Sequence, residues 1–184
     1  NYNRVGSSAE TVSSMINNIT YKATGDDVVS GTRTVTLSAV QDDGGTDEGG
    51  ADTATLSIAA TLDVTGINDA PVVTATPTDV TYTEGASDPV SIFTDTDIST
   101  VEKDQLVDSF TLTVSNVQDG GSEILSIDGT DIALQAGTGT TTNGYSYEVT
   151  ITDNVATITV SSADGMTAQA ASSVVDGITY QNTS

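Results

Sequence analysis

Several stretches of the chain alternate apolar and polar residues with period two, the mark of a strand with one buried face. Arg33, Val35, Leu37 and Ala39 share one side, with Thr32, Thr34, Thr36 and Ser38 on the other. Ala54, Leu56, Ile58, Ala60, Leu62 and Val64 continue the scheme over eleven residues, which is long for a strand. Phe110, Leu112 and Val114 repeat it, as do Tyr147, Val149, Ile151 and then Ala156, Ile158, Val160. The last two runs are separated only by Thr152, Asp153 and Asn154, which predicts a hairpin. Shorter predicted strands are Val72 to Ala75, Val80 to Thr83, Val90 to Phe93, Ile124 to Ile127 and Ile132 to Leu134. Only Ser8 to Ile16 and Met166 to Val175 read as helical.

Those two helical segments are copies. Shifted by 159 residues, Gly6 falls on Gly165, Ala9 on Ala168, Ser13 and Ser14 on Ser172 and Ser173, and Ile19, Thr20, Tyr21 on Ile178, Thr179, Tyr180. Five of the nine positions from 13 to 21 are identical. The chain therefore covers slightly more than one period of a tandem repeat. The boundary is predicted at 66–71, where Gly66 ends a strand and Pro71 forces Ala70 into an extended conformation. Residues 1–70 then form the C-terminal part of one repeat. Residues 71–184 form the first two-thirds of the next, lacking the equivalent of Arg33 to Val64.

Composition narrows the chemistry. There are 26 acidic residues against 4 basic ones, for a formal net charge of -22, with no His and no Cys. Arg4, Lys22, Arg33 and Lys103 are too scattered for the basic patch that nucleic acid or an anionic membrane requires. Cys/His zinc sites, Ser-His triads, thiol nucleophiles and disulfides are excluded. Oxygen ligands remain, the kind that calcium prefers. Of the 26 acids 20 are Asp, which suits turns and tight loops rather than helix surfaces. Such charge with few aromatics resembles a disordered composition, but 33 Thr among many Val and Ile argue for strands. No run of about 18 apolar residues offers a membrane-spanning helix. The chain reads as a soluble, all-β piece of something longer.

The run Val64, Thr65, Gly66, Ile67, Asn68, Asp69, Ala70, Pro71, followed by Tyr82 to Gly85 (YTEG) and by Asp95, Thr96, Asp97, resembles the linker, Glu and Asp-x-Asp motifs of cadherin-like β-sandwich modules. Val117 to Leu125 (VQDGGSEIL), Ile178 to Ser184 (ITYQNTS), and Arg33 to Leu37 with Gln41 to Gly45 (QDDGG) resemble repeats of giant bacterial surface adhesins of the RTX type. The resemblance covers nearly the whole chain and rests on the order and spacing of motifs that are individually weak. It implies an antiparallel Greek-key sandwich, cadherin-like or Ig-like, with one short helix per repeat. It also implies type I secretion, display at the cell surface and a role as a calcium-rigidified extender in adhesion or biofilm formation. Gly44 to Gly49 (GGTDEG) does not fit the RTX nonapeptide, which places the piece in the stalk.

The residues support a calcium expectation beside that resemblance. Hinges between β-modules flex by default. A cation shared by Asn68 or Asp69, Glu84, Asp95 and Asp97 would tie linker to sandwich, provided that Asp95 to Asp97 curve rather than lie flat. The competing account is a solvated turn with a capping Asp before Ile98. A second cluster, Asp42, Asp43, Asp47, Glu48 and Asp52, lies between two strong strands, where five carboxylates would repel without a counter-ion. Here the alternative is a mobile hydrophilic loop. Asp26 with Asp27, and Asp119, Glu123, Asp128 and Asp131, are weaker candidates or turn formers. EF-hand spacing is absent. Tyr21 and Tyr180 are expected to pack under a helix with the hydroxyl bonded to backbone.

No pair of acids stands out as catalytic, so no enzyme is expected. The alternative function is a calcium-dependent carbohydrate-binding module. Expected partners are neighbouring repeats, because each partial repeat lacks what the other has. The exposed edges also invite head-to-tail strand complementation between molecules.

Overall fold

In the computed structural model, which describes residues 6–184, the alternating runs become antiparallel strands. The chain divides into two compact units, Asn1–Asn68 and Asp69–Ser184.

The first unit holds helix α1 (Ala9–Asn17) and a long hairpin of β1 (Gly31–Gln41) and β2 (Thr53–Val64). The Ser8 hydroxyl accepts the Thr11 N–H at 3.3 Å and so caps the helix where its first-turn donors lack partners. Across the hairpin Val35 stands opposite Ala60 and Leu37 opposite Ile58, so the apolar alternates of both strands share one face. Past Leu37 the register shifts by a bulge. Gly66 donates its N–H to the Ser30 hydroxyl at 2.7 Å, and a Cβ there would run into the Val28 carbonyl, so only glycine fits.

The second unit runs β3 (Val72–Pro77), β4 (Val90–Ser91), β5 (Phe93–Ser99), β6 (Val107–Val114), β7 (Glu123–Ile127), β8 (Thr130–Ala133), β9 (Gly137–Thr140), β10 (Ser146–Thr152), β11 (Val155–Met166), α2 (Ala168–Asp176) and β12 (Thr179–Asn182). One four-stranded sheet has the order β6-β11-β10-β9, the other β4-β12-β7-β8, and β3 pairs with β5 in a separate ribbon. The two larger sheets share one core: Leu125, Ile127 and Ile132 from one, Val149, Ala156, Ile158 and Val160 from the other. Ile127, Ile158 and Val160 have no exposed surface at all. The turn between β10 and β11 is two residues, Asp153 and Asn154, both with positive φ. That is the twist a tight hairpin needs.

Where the strands differ from expectation, a specific bond explains it. Val80 to Thr83 is not a strand, because that segment instead delivers the Tyr82 hydroxyl to the Asn182 carbonyl at 2.8 Å. Val90 to Phe93 is not one strand but two. The Ile92 N–H bonds the Ile178 carbonyl, after which the chain leaves β12 and joins β3. Met166 ends β11 rather than opening a helix, since it pairs with Val107 and Thr167 supplies the cap through Ala170 N–H. β9, rich in Gly and Thr, carries no apolar alternation. Its Gly139 lies so close under the Tyr147 ring that any Cβ would collide with it.

Helices α1 and α2 begin and end 159 residues apart, at Ala9 and Ala168, then Asn17 and Asp176. Their settings differ. Helix α2 buries Ala171 and Val174, whereas α1 buries no residue. Helix α2 also covers one edge of β5: Asp176 Oδ1 accepts the Thr96 N–H at 2.9 Å, and Ser172 Oγ the Ile98 N–H at 3.1 Å.

Tyr180 is expected under the helix; its ring packs partly buried against the main core, and its hydroxyl meets a side chain instead of backbone. It donates to Glu123 Oε2 at 3.0 Å, while Gln118 N–H and Asp119 N–H donate to Oε1 at 2.7 and 2.9 Å. Glu123 is only 7% exposed, so these donors are what make its burial tolerable. The Tyr82 ring meets Tyr180 edge-on at 5.5 Å between centroids. Burial first, and then the Glu123 carboxylate, push the Tyr180 pKa up from 10.0 to about 12. Between those values the folded chain keeps a proton that the unfolded chain has lost, so stability falls as pH rises through that window. Tyr180→Phe is expected to lower stability at neutral pH by about 1 to 3 kcal/mol, because it strands a carboxylate oxygen. It should also remove part of the alkaline decline. Urea melts at neutral and alkaline pH measure both effects.

Candidate cation site

The segment that follows β5 is strained in one place. Glu102 N–H bonds the Thr100 carbonyl at 2.8 Å across Val101, whose φ is 69°. This is a γ-turn of the rare positive-φ kind, centred on a β-branched residue. Such a conformation costs about 1 to 3 kcal/mol and persists only when its surroundings hold it. Two bonds do so: Val101 N–H to Ser99 Oγ at 3.1 Å, and Thr100 Oγ1 to the Glu102 carbonyl at 3.2 Å.

The turn carries Glu102 to the start of the second unit. Its Oε1 accepts the backbone N–H of Asp69. Its Oε2 is buried and has no hydrogen-bond partner. A buried acidic oxygen without a donor is uncommon in proteins and calls for a water or an ion. Glu102 was not singled out from the sequence, where it sits beside Lys103 and Asp104 in what reads as a solvated charge run. The only signal pointing to it is its distance in the chain from β5, which cannot reveal the fold back onto Asp69.

The predicted ligands are distributed as follows. Asn68 closes the first unit and Asp69 opens the second; both are exposed and both have further interactions. Glu84 is exposed in the turn before β4. Asp95 and Asp97 lie on β5, which is neither flat nor a loop there. Asp97 faces Thr74 and Thr94 faces Thr76, so Asp95 and Thr96 together oppose one residue in a β-bulge, with Asp95 at φ 54°. Both carboxylates are exposed, and Asp95 accepts a bond from Thr94 Oγ1 at 3.3 Å. Among the described residues no three acidic side chains converge on one point. Of the predicted set, Asp69 is brought to Glu102 through its backbone N–H.

The hairpin cluster is a hydrogen-bonded connection. Asp42 Oδ1 accepts Gly44 N–H at 2.9 Å, Asp42 N–H bonds the Asp52 carbonyl at 2.8 Å, and Asp47 opens a 3-10 turn. Asp43 and Asp47 are exposed. Bonds from Gln41 and then Thr53 hold the Asp52 carboxyl below its usual pKa.

Of the weaker candidates, Asp119 accepts Asn182 Nδ2 at 2.7 Å. Asp128 pins two turns together. With Gly129 it makes the positive-φ turn between β7 and β8, and its carboxylate accepts Thr141 Oγ1 at 2.6 Å, Asn143 N–H at 2.9 Å and Asn143 Nδ2.

A calcium ion fits the chemistry at Glu102 and Asp69. The acidic side chains there are Glu102 and Asp69, both oxygen ligands of the hard type, and Glu102 Oε2 is buried without a hydrogen-bond partner. The Asp95 bulge and the hairpin connection offer oxygens of the same kind, with their carboxylates turned to solvent or to local N–H groups.

At Asp128, burial opposes the charge, but the three donors outweigh it and hold the pKa below 3.8. The stabilisation is present above 3.8 and is lost as pH falls through the lower folded-state value. Asp128→Asn is expected to cost about 1 to 2 kcal/mol at neutral pH, with the gap to the parent closing only in strong acid; thermal melts across an acid pH series test this. No protein-family model, no curated protein and no solved structure matches the chain.

Proposed function

We propose that the chain is a calcium-rigidified extender from the stalk of a bacterial cell-surface adhesin, built of cadherin-like Greek-key sandwiches. It acts as a secreted spacer that projects a distal binding domain, and not as an enzyme. The observation that carries this reading is the buried, partnerless Oε2 of Glu102, held by a strained turn beside Asp69, the first residue of the second unit. A cation there would join Asp69, where the chain enters the second unit, to the turn after β5. The recurrence of one helix after 159 residues supports a repeated spacer. The charge of -22 supports a cation rather than an anionic partner.

The mechanism is electrostatic. Calcium takes six to eight oxygens at about 2.3 to 2.6 Å and so fixes segments that would otherwise flex. Binding to the folded form alone stabilises it by about 2.7 kcal/mol at a hundredfold excess over the dissociation constant.

Calcium should therefore raise the melting temperature by roughly 10 °C and extend the particle in small-angle scattering. If EDTA leaves both unchanged, the extender reading is wrong. Glu102→Gln separates this site from the others: the variant should match or exceed the parent in EDTA, and should lose most of the gain in calcium. An unchanged calcium response in that variant would move the site elsewhere in the chain.

A further inference from the structure

Asn143 and Gly144, in the turn between β9 and β10, form the only Asn–Gly step in the sequence. Such a step is reactive, because the backbone nitrogen after an asparagine attacks that residue's side-chain carbonyl carbon, and glycine, lacking a Cβ, leaves the approach open. Nothing else crowds the place where a Cβ on Gly144 would stand, and both residues are exposed to water.

The turn selects this pair for its own reasons. Thr141 N–H bonds the Tyr145 carbonyl at 2.8 Å and Gly144 N–H bonds the Thr141 carbonyl at 2.9 Å, with Gly144 at φ 88°. This is a three-residue hairpin loop whose last position calls for a left-handed residue. Asparagine is among the residues that suit turns of this kind.

In the folded chain both reacting groups are engaged elsewhere. The Gly144 N–H is held by the Thr141 carbonyl. The Asn143 side chain donates through Nδ2 to Asp128 Oδ1, and its backbone N–H donates to Asp128 Oδ2 at 2.9 Å. Thr141 Oγ1 donates to the same Oδ2 at 2.6 Å, so one carboxylate of the β7–β8 turn closes the β9–β10 turn at three points.

We propose that Asn143 is a modification site, deamidated through Gly144, and that the Asp128 carboxylate is the latch that keeps it intact while the turn is closed. When the turn opens, the Gly144 nitrogen gives its proton to solvent base and bonds to Asn143 Cγ. The Cγ–Nδ2 bond breaks and ammonia leaves, taking a proton from water. Water then opens the succinimide at either of its carbonyls, giving an aspartyl or an isoaspartyl residue. Neither product closes the latch. A carboxylate replaces the Nδ2 donor opposite Asp128 Oδ1, so a hydrogen bond becomes a contact between like charges. The isoaspartyl form also lengthens the main chain of the loop by one carbon. Because the change is irreversible, the converted fraction records how long the turn has stood open.

The test is to incubate the whole chain at mildly alkaline pH, native and in guanidinium chloride, and to follow the mass of the proteolytic peptide that contains Asn143. Asp–Gly steps isomerise without a change of mass and do not interfere. Conversion should be slower in the native chain by about tenfold or more, the protection that a hydrogen bond to a charged group provides. Equal rates overturn the proposal. Asp128→Gly accepts the φ of 50° at that position and, unlike asparagine, creates no second Asn–Gly step. It should bring the native rate severalfold closer to the rate in guanidinium chloride; a native rate equal to the parent's overturns the role of Asp128. Asn143→Asp, an exposed substitution that leaves the turn's glycine in place, should lower the urea midpoint of the folded chain. A midpoint equal to the parent's means that the Asn143 amide holds nothing closed, and overturns the latch.

Discussion

A sheet with one apolar face has to be covered by a second layer, and every other property of this chain follows from where that layer is present. In the second unit two four-stranded sheets meet through Ile127, Ile132, Ile158 and Val160, and the interior closes to zero exposure. In the first unit the same alternation produces a hairpin whose apolar residues remain open. The chain is poor in hydrophobic residues, at 36%, so layers have to be shared efficiently. Burial of one Ile contributes about 1.5 to 3 kcal/mol only when a facing sheet exists. Helix α1 and helix α2 occupy equivalent places in the repeat with similar apolar positions, yet α2 buries Ala171 and Val174 while α1 buries no residue.

The acidic composition acquires two distinct meanings at the level of single residues. Many of the Asp residues serve geometry: Asp42 folds back on Gly44, Asp128 ties two turns, and Asp153 opens a tight hairpin with positive φ. Their short carboxylates accept nearby N–H groups and tolerate left-handed backbone, which is why Asp outnumbers Glu. Glu plays a different part. Glu123 is buried and fully supplied with donors, whereas Glu102 is held beside Asp69 with one oxygen unsupplied. Net charge alone could not have separated these roles.

How far the sequence foretells the structure depends on whether the information is local. Period-two alternation locates β1, β2, β6, β10 and β11 because each strand gathers its apolar residues on one face, and the helical readings of Ser8 to Ile16 and Met166 to Val175 place both helices to within two residues at each end. β9 escapes because its Gly and Thr residues pair by backbone alone and leave room for the Tyr147 ring. The division of Val90 to Phe93 escapes because it depends on which strand lies alongside, a tertiary fact. The candidate site is legible in kind, as oxygen ligands near the linker, and Asp69 is among the residues named. Glu102 escapes for the same reason as β4: it meets Asp69 only after residues 70–101 have folded into the ribbon.

Helix α2 holds β5 through bonds from Ser172 and Asp176 to the main-chain N–H groups of Ile98 and Thr96. The partner in these bonds is something every residue except proline possesses. The polar part of the docking code therefore resides in the helix, while Ile98 itself is buried in a cluster with Ala171 and is held to an apolar side chain. Ser13 and Asn17 occupy the same two places on α1, each still a hydrogen-bond acceptor. A tandem array assembled this way can vary the exposed positions of such a strand from one repeat to the next, while the helix keeps its two acceptors.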